Sequence, residues 1–310
     1  MSRQRRTLPE LEDLPTEQPN PASVELDTKS SIQIARIINS EDAKVAPAVE
    51  RALPQIALAM DWIADALAKG GRLIYVGTGT SGRIAALDAA ECPPTFNTAP
   101  EMVQVVMAGG SRALVTALEA DEDSRELGVR EIRKKAPGRN DVVVGIAASG
   151  RTPFTLAALH WARRAGARTV AITSNPGSPL ERAAELAIVI ETGAEVVAGS
   201  TRMKAGTAEK MVLNILSTGA MVRLGYVYSN LMVNLHQKNT KLAGRAVLIL
   251  QQVLGLNKPQ ARRALRAAGS SVPVAIVMQK AGVSRSDAEA ALEDTKGHVR
   301  KAIALAGASL

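Results

Sequence analysis

The sequence predicts an α/β fold, a three-layer doubly wound five-stranded parallel sheet followed by a small C-terminal helical bundle. Five short apolar runs, rich in β-branched residues, alternate with stretches of helical periodicity. The runs lack polar alternation, which is typical of strands that helices cover on both faces. Hydrophobic residues make up 46% of the chain and aromatic residues only 2%, so aliphatic side chains must build the core.

The region before the sheet, residues 1–62, is predicted to be an arm followed by a helix. Residues 1 to about 30 contain several prolines and polar residues, as an extended arm would. Ser40-Glu41-Asp42 is expected to cap a helix whose apolar residues recur between Val45 and Met60. Pro54 is expected to bend or interrupt that helix.

The central region, residues 63–226, contains the alternating strands and helices of the predicted sheet. Strand and helix alternation of this kind indicates βαβ units. A long apolar helix over residues 203–224 closes the region. The predicted strands are Leu73–Val76, Val103–Met107, Val142–Ile146, Thr169–Thr173 and Ile188–Glu191, and the helices between them include Ile84–Ala90, Ser124–Lys134 and Phe154–Ala165.

The last region, residues 227–310, is predicted to be a helical connector and a helical domain. From about residue 237 the periodicity is wholly helical, and short helices follow Lys258. Glycines close several of them, as is common at helix ends.

The charge and the cysteine content indicate which kinds of partner and which cellular location to expect for the protein. The formal charge is +8, but the basic residues are spread along the chain and aromatic stacking platforms are scarce, so we expect no nucleic acid. A positive potential also attracts anionic substrates. Cys92 is the only cysteine, and no apolar stretch suits a signal peptide or a membrane span. We expect a cytoplasmic protein with no membrane partner.

Metal chemistry is not expected. His160, His236 and His298 are far apart in the sequence and lack the spacing of zinc ligands. Cys92, beside two prolines, suits packing better than nucleophilic attack.

A first glycine- and hydroxyl-rich loop, Gly77–Arg83 (GTGTSGR), follows the first strand and precedes a helix. Backbone N–H groups at a helix start bind anions, and Thr78, Thr80 and Ser81 add hydroxyl donors. The loop lacks the Lys of a phosphate-binding P-loop. It fits G-x-G-x-x-G, but the second strand does not end in the acid of a dinucleotide site. An ordinary strand-to-helix turn remains an alternative.

A second loop, Ala147–Pro153 (AASGRTP), repeats this design after the third strand, with Ser149 and Thr152 as hydroxyl donors. Loops at the carboxyl ends of neighbouring parallel strands face one crevice. Two such loops predict a site for a phosphorylated, polyhydroxylated ligand.

A third loop lies in the segment Gly193–Ala208 and opens the long helix, with Ser200 or Thr201 as its cap. Lys204 in the first turn opposes the helix dipole, which a nearby anion would offset.

Two acidic segments offer carboxylates. Pro93 and Pro94 are expected to end the helix that follows the first loop, which leaves Glu91 at its unfavourable negative end. The block Glu119–Glu126 holds five acids, including Glu122, ahead of a helix capped at Asp123 or Ser124. A solvated surface accounts equally well for these acids.

Taken together, these motifs resemble one family over nearly the whole chain. The runs GTGTSGR, DAAECPPTF, EADEDSRE, GIAASGRTP and GAEVVAGSTRMKAGTAEK occur in the order seen in N-acetylmuramic acid 6-phosphate etherases, as does the early segment LPTEQPNPAS. The GSTRMKAGTA block is also similar to that of the glucokinase regulatory protein. Both groups contain a sugar isomerase (SIS) domain.

This resemblance implies a lyase that converts N-acetylmuramic acid 6-phosphate to N-acetylglucosamine 6-phosphate and D-lactate by elimination and then hydration. It implies a homodimer without metal or organic cofactor. By position, Glu91 and Glu122 match the two catalytic glutamates. Thr80, Ser81 and Ser149 match sugar-phosphate contacts, and Ser200 and Lys204 belong to the family motif.

Acid–base logic suggests Glu91 as proton donor and Glu122 as base. The negative end of a helix favours a retained proton, whereas the positive end of the following helix favours an ionised Glu122. The alternatives are a non-catalytic sugar-phosphate regulator and an aldose–ketose isomerase. A transcription regulator with the same domain would need a helix-turn-helix ahead of the sheet.

Overall fold

The computed structural model describes residues 11–116, 121–235 and 240–308. Five parallel strands form one sheet in the order β2-β1-β3-β4-β5, so β1 and β3 are neighbours. The predicted α/β class and strand number are confirmed. The strands are β1 (Leu73–Gly77), β2 (Val103–Met107), β3 (Val142–Ile146), β4 (Arg168–Thr173) and β5 (Leu186–Val189).

Thirteen α-helices lie in the described residues, and most of them lie close to where the periodicity predicts one. They are α1 (Ser31–Asp42), α2 (Val45–Arg51), α3 (Leu53–Ala68), α4 (Gly79–Phe96), α5 (Arg125–Lys135), α6 (Pro153–Arg164), α7 (Pro179–Ala183), α8 (Lys204–Arg223), α9 (Thr240–Leu254), α10 (Lys258–Ala267), α11 (Val272–Ala281), α12 (Arg285–Asp294) and α13 (Val299–Ala308). Of these, α1 and α7 were not predicted. None of these helices is long and apolar enough to cross a membrane.

The chain forms two compact units. The first comprises the residues up to Ala89 together with Glu101–Ser217, and the second comprises Ala90–Pro100 together with the residues from Thr218 onward. Two of the three divisions fall within α4 and α8, and the third falls between Pro100 and Glu101. The first unit contains the sheet, whose central strands β1 and β3 are fully buried. The second has its own aliphatic core, in which Leu250, Ile276 and Val277 are completely covered. The predicted boundaries at 62 and 226 stay predictions.

Two helix boundaries differ from the prediction. Ser40-Glu41-Asp42 ends α1, and the residue that precedes α2 is Lys44. Glu41 is buried there because its carboxylate binds the ammonium of Lys204 on α8. This tertiary contact outweighs the local preference of the segment for the start of a helix. Pro54 is confirmed as an interruption, since it occupies the second position of α3.

The other difference concerns Pro93 and Pro94, which lie inside α4 rather than after it. Proline has a helical φ and disrupts a helix by removing an N–H and crowding the preceding turn. Here burial of Cys92 and Phe96 holds the last turn. The helix ends at Phe96, and the next residue, Asn97, has a φ of 58° and donates its N–H to the Pro93 carbonyl.

The positive charge is less evenly spread than the sequence analysis assumed. Residues 210–286 contain 11 Lys and Arg and no Asp or Glu, whereas the whole chain carries +8. The rest of the chain therefore carries a net charge of −3, because 38 − 11 = 27 basic residues face 30 acidic ones. Four exposed cations lie on α10: Lys258, Arg262, Arg263 and Arg266.

Candidate active site

The first loop places its hydroxyls against carboxylates of the first unit. Thr78 directly follows β1, and its hydroxyl donates to Oε2 of Glu122 over 3.0 Å. Ser81 lies in the first turn of α4 and donates to Oε1 of Glu209 on α8 over 2.9 Å. Thr80 is half-buried between them, with α8 nearby at Gly206. The loop thus combines a helix N-terminus with two carboxyl groups.

Glu122 connects the first loop with the second. Its side chain binds Thr78, and its backbone carbonyl accepts from the N–H of Phe154 in the first turn of α6 over 3.0 Å. The helix predicted after it is confirmed, because Ser124 caps α5 by accepting from Leu127 N. The positive end of α5 therefore lies two residues beyond Glu122, where it favours a carboxylate.

The second loop is held by the end of β4. The Ala148 carbonyl accepts from the side chains of Thr173 and Asn175 at 3.2 and 3.0 Å. Ser149 is half-buried, and its hydroxyl oxygen accepts from the N–H of Arg151. Thr152 is the residue before α6, and its side chain makes no capping hydrogen bond there.

Arg151 was not singled out from the sequence. Its Nη1 is buried, and no hydrogen-bond partner lies within reach among the described residues. Buried polar groups in proteins are nearly always hydrogen-bonded. A guanidinium nitrogen in this loop is therefore suited to an anionic group of a ligand.

The third loop is anchored by a buried acid. Glu195, completely buried, accepts from the N–H groups of Lys204 and Ala205 at 3.0 Å each, so it caps α8 in place of Ser200 or Thr201. Ser200 is half-buried, and its N–H donates to the Val197 carbonyl.

Lys204 has the anionic partner that its position in the first turn of α8 predicts, and this partner is a residue of the protein, Glu41. Its ammonium binds Oε2 of Glu41 at 2.7 Å, and both side chains are about 97% buried or more. Burial opposes ionisation of Glu41, but hydrogen bonds from Lys204, Lys44 and Asn20 outweigh it and lower its pKa from 4.5 to about 2. In this arrangement the Lys204 ammonium is directed into the protein, away from solvent.

Glu91 belongs to the second unit and is exposed. It lies ahead of the last turn of α4, which continues to Phe96. The dipole argument for a retained proton on Glu91 therefore fails, because the effect is limited to the last turn.

Glu209 was also missed by the sequence analysis, although a signal was present. The buried residues Ala205, Ala208, Val212 and Leu216 form a stripe along α8, and Glu209 lies on that stripe. A carboxyl group on the apolar face of a helix is unusual. Burial raises its pKa from 4.5 to about 8, and the hydrogen bond from Ser81 opposes this only in part.

No group of three or more His, Cys, Asp or Glu side chains is placed to hold a metal ion within the ranges 11–116, 121–235 and 240–308.

Comparisons with known proteins identify relatives over most of the chain. The family model "Glucokinase regulatory protein N-terminal SIS domain" matches residues 55–163, and the model "SIS domain" matches residues 135–218. A protein of Symbiobacterium thermophilum named N-acetylmuramic acid 6-phosphate etherase is 56% identical over 88% of this chain and 91% of its own length. Proteins of the same name from Aeromonas hydrophila and Escherichia coli are 47% and 49% identical and cover 94% and 95% of this chain, and 97% and 99% of their own lengths.

Proposed function

The chain belongs to the family of N-acetylmuramic acid 6-phosphate etherases, and from this premise we propose how its residues divide the reaction. It is an enzyme, a carbon–oxygen lyase that cleaves the lactyl ether of N-acetylmuramic acid 6-phosphate to give N-acetylglucosamine 6-phosphate and D-lactate. The relatives favour neither a regulator without catalysis nor an isomerase.

We propose that the first two loops bind the sugar phosphate. The hydroxyls of Thr78, Thr80 and Ser81 lie at the N-terminus of α4, and backbone N–H groups there attract a phosphate dianion. Ser149 and Thr152 contribute from the second loop, since β1 and β3 are adjacent and end at one edge of the sheet.

Further contacts extend this site. Arg151 supplies a guanidinium nitrogen that has no described partner, and Ser200 lies half-buried in the third loop. The predicted substrate contact of Lys204 is replaced by a supporting role, because its ammonium is buried against Glu41.

We infer that Glu122 is the base. In the open-chain sugar the C2 proton is next to an aldehyde and therefore acidic, so a carboxylate can remove it. Glu122 lies between both loops and ahead of the positive end of α5, which supports its ionised form and its position near the bound sugar.

Glu91 is then proposed as the acid. Elimination needs one group to take the C2 proton and another to give a proton to the ether oxygen as lactate leaves C3. Water adds afterwards to the unsaturated aldehyde. The support for Glu91 is its match to the family's DAAECPPTF motif, since the helix-end argument no longer applies.

The cellular setting is also proposed. We infer a homodimer in the cytoplasm that acts without a metal, an organic cofactor or nucleic acid. Exposed apolar side chains on α3 and α4, such as Leu58 and Leu87, are suited to a subunit contact. The substrate is a phosphorylated sugar, and the chemistry above requires only a base and an acid.

The observation that carries the function is the 56% identity over 88% of the chain. The test is to incubate the protein with N-acetylmuramic acid 6-phosphate and to assay D-lactate, with chelator in a parallel sample. We expect lactate release in both samples and none from unphosphorylated N-acetylmuramic acid. Equal turnover of both sugars would contradict the phosphate requirement.

A further inference from the structure

Glu209 is a buried acid with a direct contact to the proposed phosphate loop. It is 2% exposed and lies on α8, close to the point where α8 packs on the start of α4. A Cβ placed on Gly206 would lie 3.3 Å from the Thr80 methyl group, which shows how closely the two helices approach. The carboxyl oxygen of Glu209 is 2.9 Å from the hydroxyl of Ser81.

The charged side chains around Glu209 either bind other residues or are exposed to solvent. On α8, Lys204 binds Glu41, and the next residue, Lys210, is exposed. On α4, Asp88 accepts hydrogen bonds from Tyr75, Asn214 and Ser217, and Glu122 on the neighbouring loop accepts one from Thr78.

Burial is consequently the dominant influence on the pKa of Glu209 and raises it to about 8. Glu209 is therefore mainly protonated at neutral pH. The protonation state decides the direction of the hydrogen bond with Ser81. A carboxylate only accepts, so it would take the Ser81 hydrogen, whereas a carboxylic acid also donates one.

We propose that Glu209 is a positioning residue that, in its neutral form, donates its hydrogen to Ser81 Oγ and so frees the Ser81 hydroxyl to donate to an anionic oxygen of the substrate phosphate. In its ionised form Glu209 holds the Ser81 hydrogen and places a negative charge behind the phosphate loop. Glu209 thereby makes phosphate binding depend on pH. The inference rests on the proposed role of Ser81 as a phosphate contact.

The expected consequence is a change in KM with little change in kcat. The phosphate itself is already dianionic above pH 7, since its second pKa is about 6. As the pH rises above 8, KM of the wild-type enzyme is expected to rise by up to about tenfold per pH unit, because the neutral fraction of Glu209 falls at that rate.

The experiment compares KM and kcat between pH 7 and 9.5 for the wild-type protein, Glu209→Gln, Ser81→Ala and the double variant. A glutamine amide donates to Ser81 at every pH. Glu209→Gln should therefore match the wild-type KM at pH 7 within about twofold and lose the alkaline rise. Ser81→Ala should raise KM most at pH 7, where neutral Glu209 leaves the Ser81 hydroxyl free to donate to the phosphate, and Glu209→Gln should add nothing to that effect.

The outcomes distinguish the proposed phosphate contact of Ser81 from the proposed positioning role of Glu209. If Ser81→Ala leaves KM unchanged across the range, the proposed phosphate contact fails. If Ser81→Ala impairs KM while Glu209→Gln keeps the wild-type alkaline rise, or raises KM at pH 7 as much as Ser81→Ala does, the positioning role of Glu209 is overturned.

A second measurement needs only the wild-type protein. Calorimetric titration with N-acetylglucosamine 6-phosphate at pH 8.5, in buffers of different ionisation enthalpy, counts the protons taken up on binding. We expect net proton uptake, because binding selects neutral Glu209. Absence of uptake would overturn the proposal even if Glu209→Gln does not fold.

Discussion

The two loops that follow β1 and β3 have similar sequences but different hydrogen-bond partners. In the first loop, the hydroxyls of Thr78 and Ser81 are hydrogen-bonded to carboxyl groups from other elements. In the second loop, the Ser149 hydroxyl binds its own backbone, and β4 holds the Ala148 carbonyl. The first loop is therefore coupled to proton chemistry, whereas the second supplies a fixed surface. Three predictions test the loops, beginning with the largest expected effect.

The largest effect on stability is expected where the third loop meets α8, because Lys204 there forms a buried ion pair with Glu41. Glu41→Gln leaves the Lys204 ammonium buried without its counter-ion, which typically costs about 3–5 kcal/mol. Because the pKa of Glu41 is lowered to about 2, its stabilisation is present above pH 4.5 and is lost as the pH falls toward 2.

Urea denaturation between pH 2 and 7 measures this effect. Lys44→Ala is the matched control, since it removes an exposed partner of the same carboxylate and should cost about 0–1 kcal/mol. An equal loss of unfolding free energy in both variants, or a loss for Glu41→Gln that persists at pH 2, would contradict the stabilising role of the Glu41–Lys204 ion pair.

The rigidity of the second loop is tested at Gly150. Its φ is +65°, and an added Cβ would lie 2.3 Å from the Ser178 hydroxyl and 2.7 Å from that of Thr173. Gly150→Ala should therefore cost about 2–4 kcal/mol, from backbone strain and overpacking together. Gly177→Ala is the control, because Gly177 has a φ of +68° with nothing within 4 Å. Similar denaturation midpoints for the two variants would show that the second loop is not fixed by packing.

The smallest effects are expected from the hydroxyls themselves. Ser81→Ala and Ser149→Ala should each weaken use of the substrate by about 1–3 kcal/mol, as for loss of one charged hydrogen bond. Only Ser81→Ala should change the pH dependence of KM, because Ser149 contacts no acid in the described structure. The check is kcat/KM of both variants at pH 7 and 9, and an equal pH response would remove the distinction between the loops.

The sheet was predictable because its signal is local. β2 and β3 have the predicted bounds, and for β3 the reason is that a β-branched run buried on both faces has few other structures available. β5 begins two residues earlier than expected, at Leu186, on an edge where burial is partial. Pro93 and Pro94 were misjudged because the residues that stabilise the last turn of α4 lie outside the local sequence.

The site was predictable only in part. The loops were recognised from their glycines and hydroxyls, and the structure joins the first and second loops through Glu122. The partners of Ser81 and Lys204, which are Glu209 and Glu41, lie 128 and 163 residues away along the chain. No local pattern reports pairings at such separations.

The central claim is that Glu122 takes the C2 proton and Glu91 gives a proton to the departing lactate. The direct measurement is exchange of that C2 proton with deuterated water in Glu122→Gln and Glu91→Gln, together with turnover of an analogue that has fluoride at C3. Fluoride leaves with little help from an acid. Each substitution should slow lactate release from the natural substrate by about 10²–10⁴-fold. Glu91→Gln should still exchange the proton and regain activity on the fluoride, whereas Glu122→Gln should fail in both assays. Rescue of Glu122→Gln by the fluoride would reverse the roles, and unchanged lactate release in both variants would contradict the assignment of either residue.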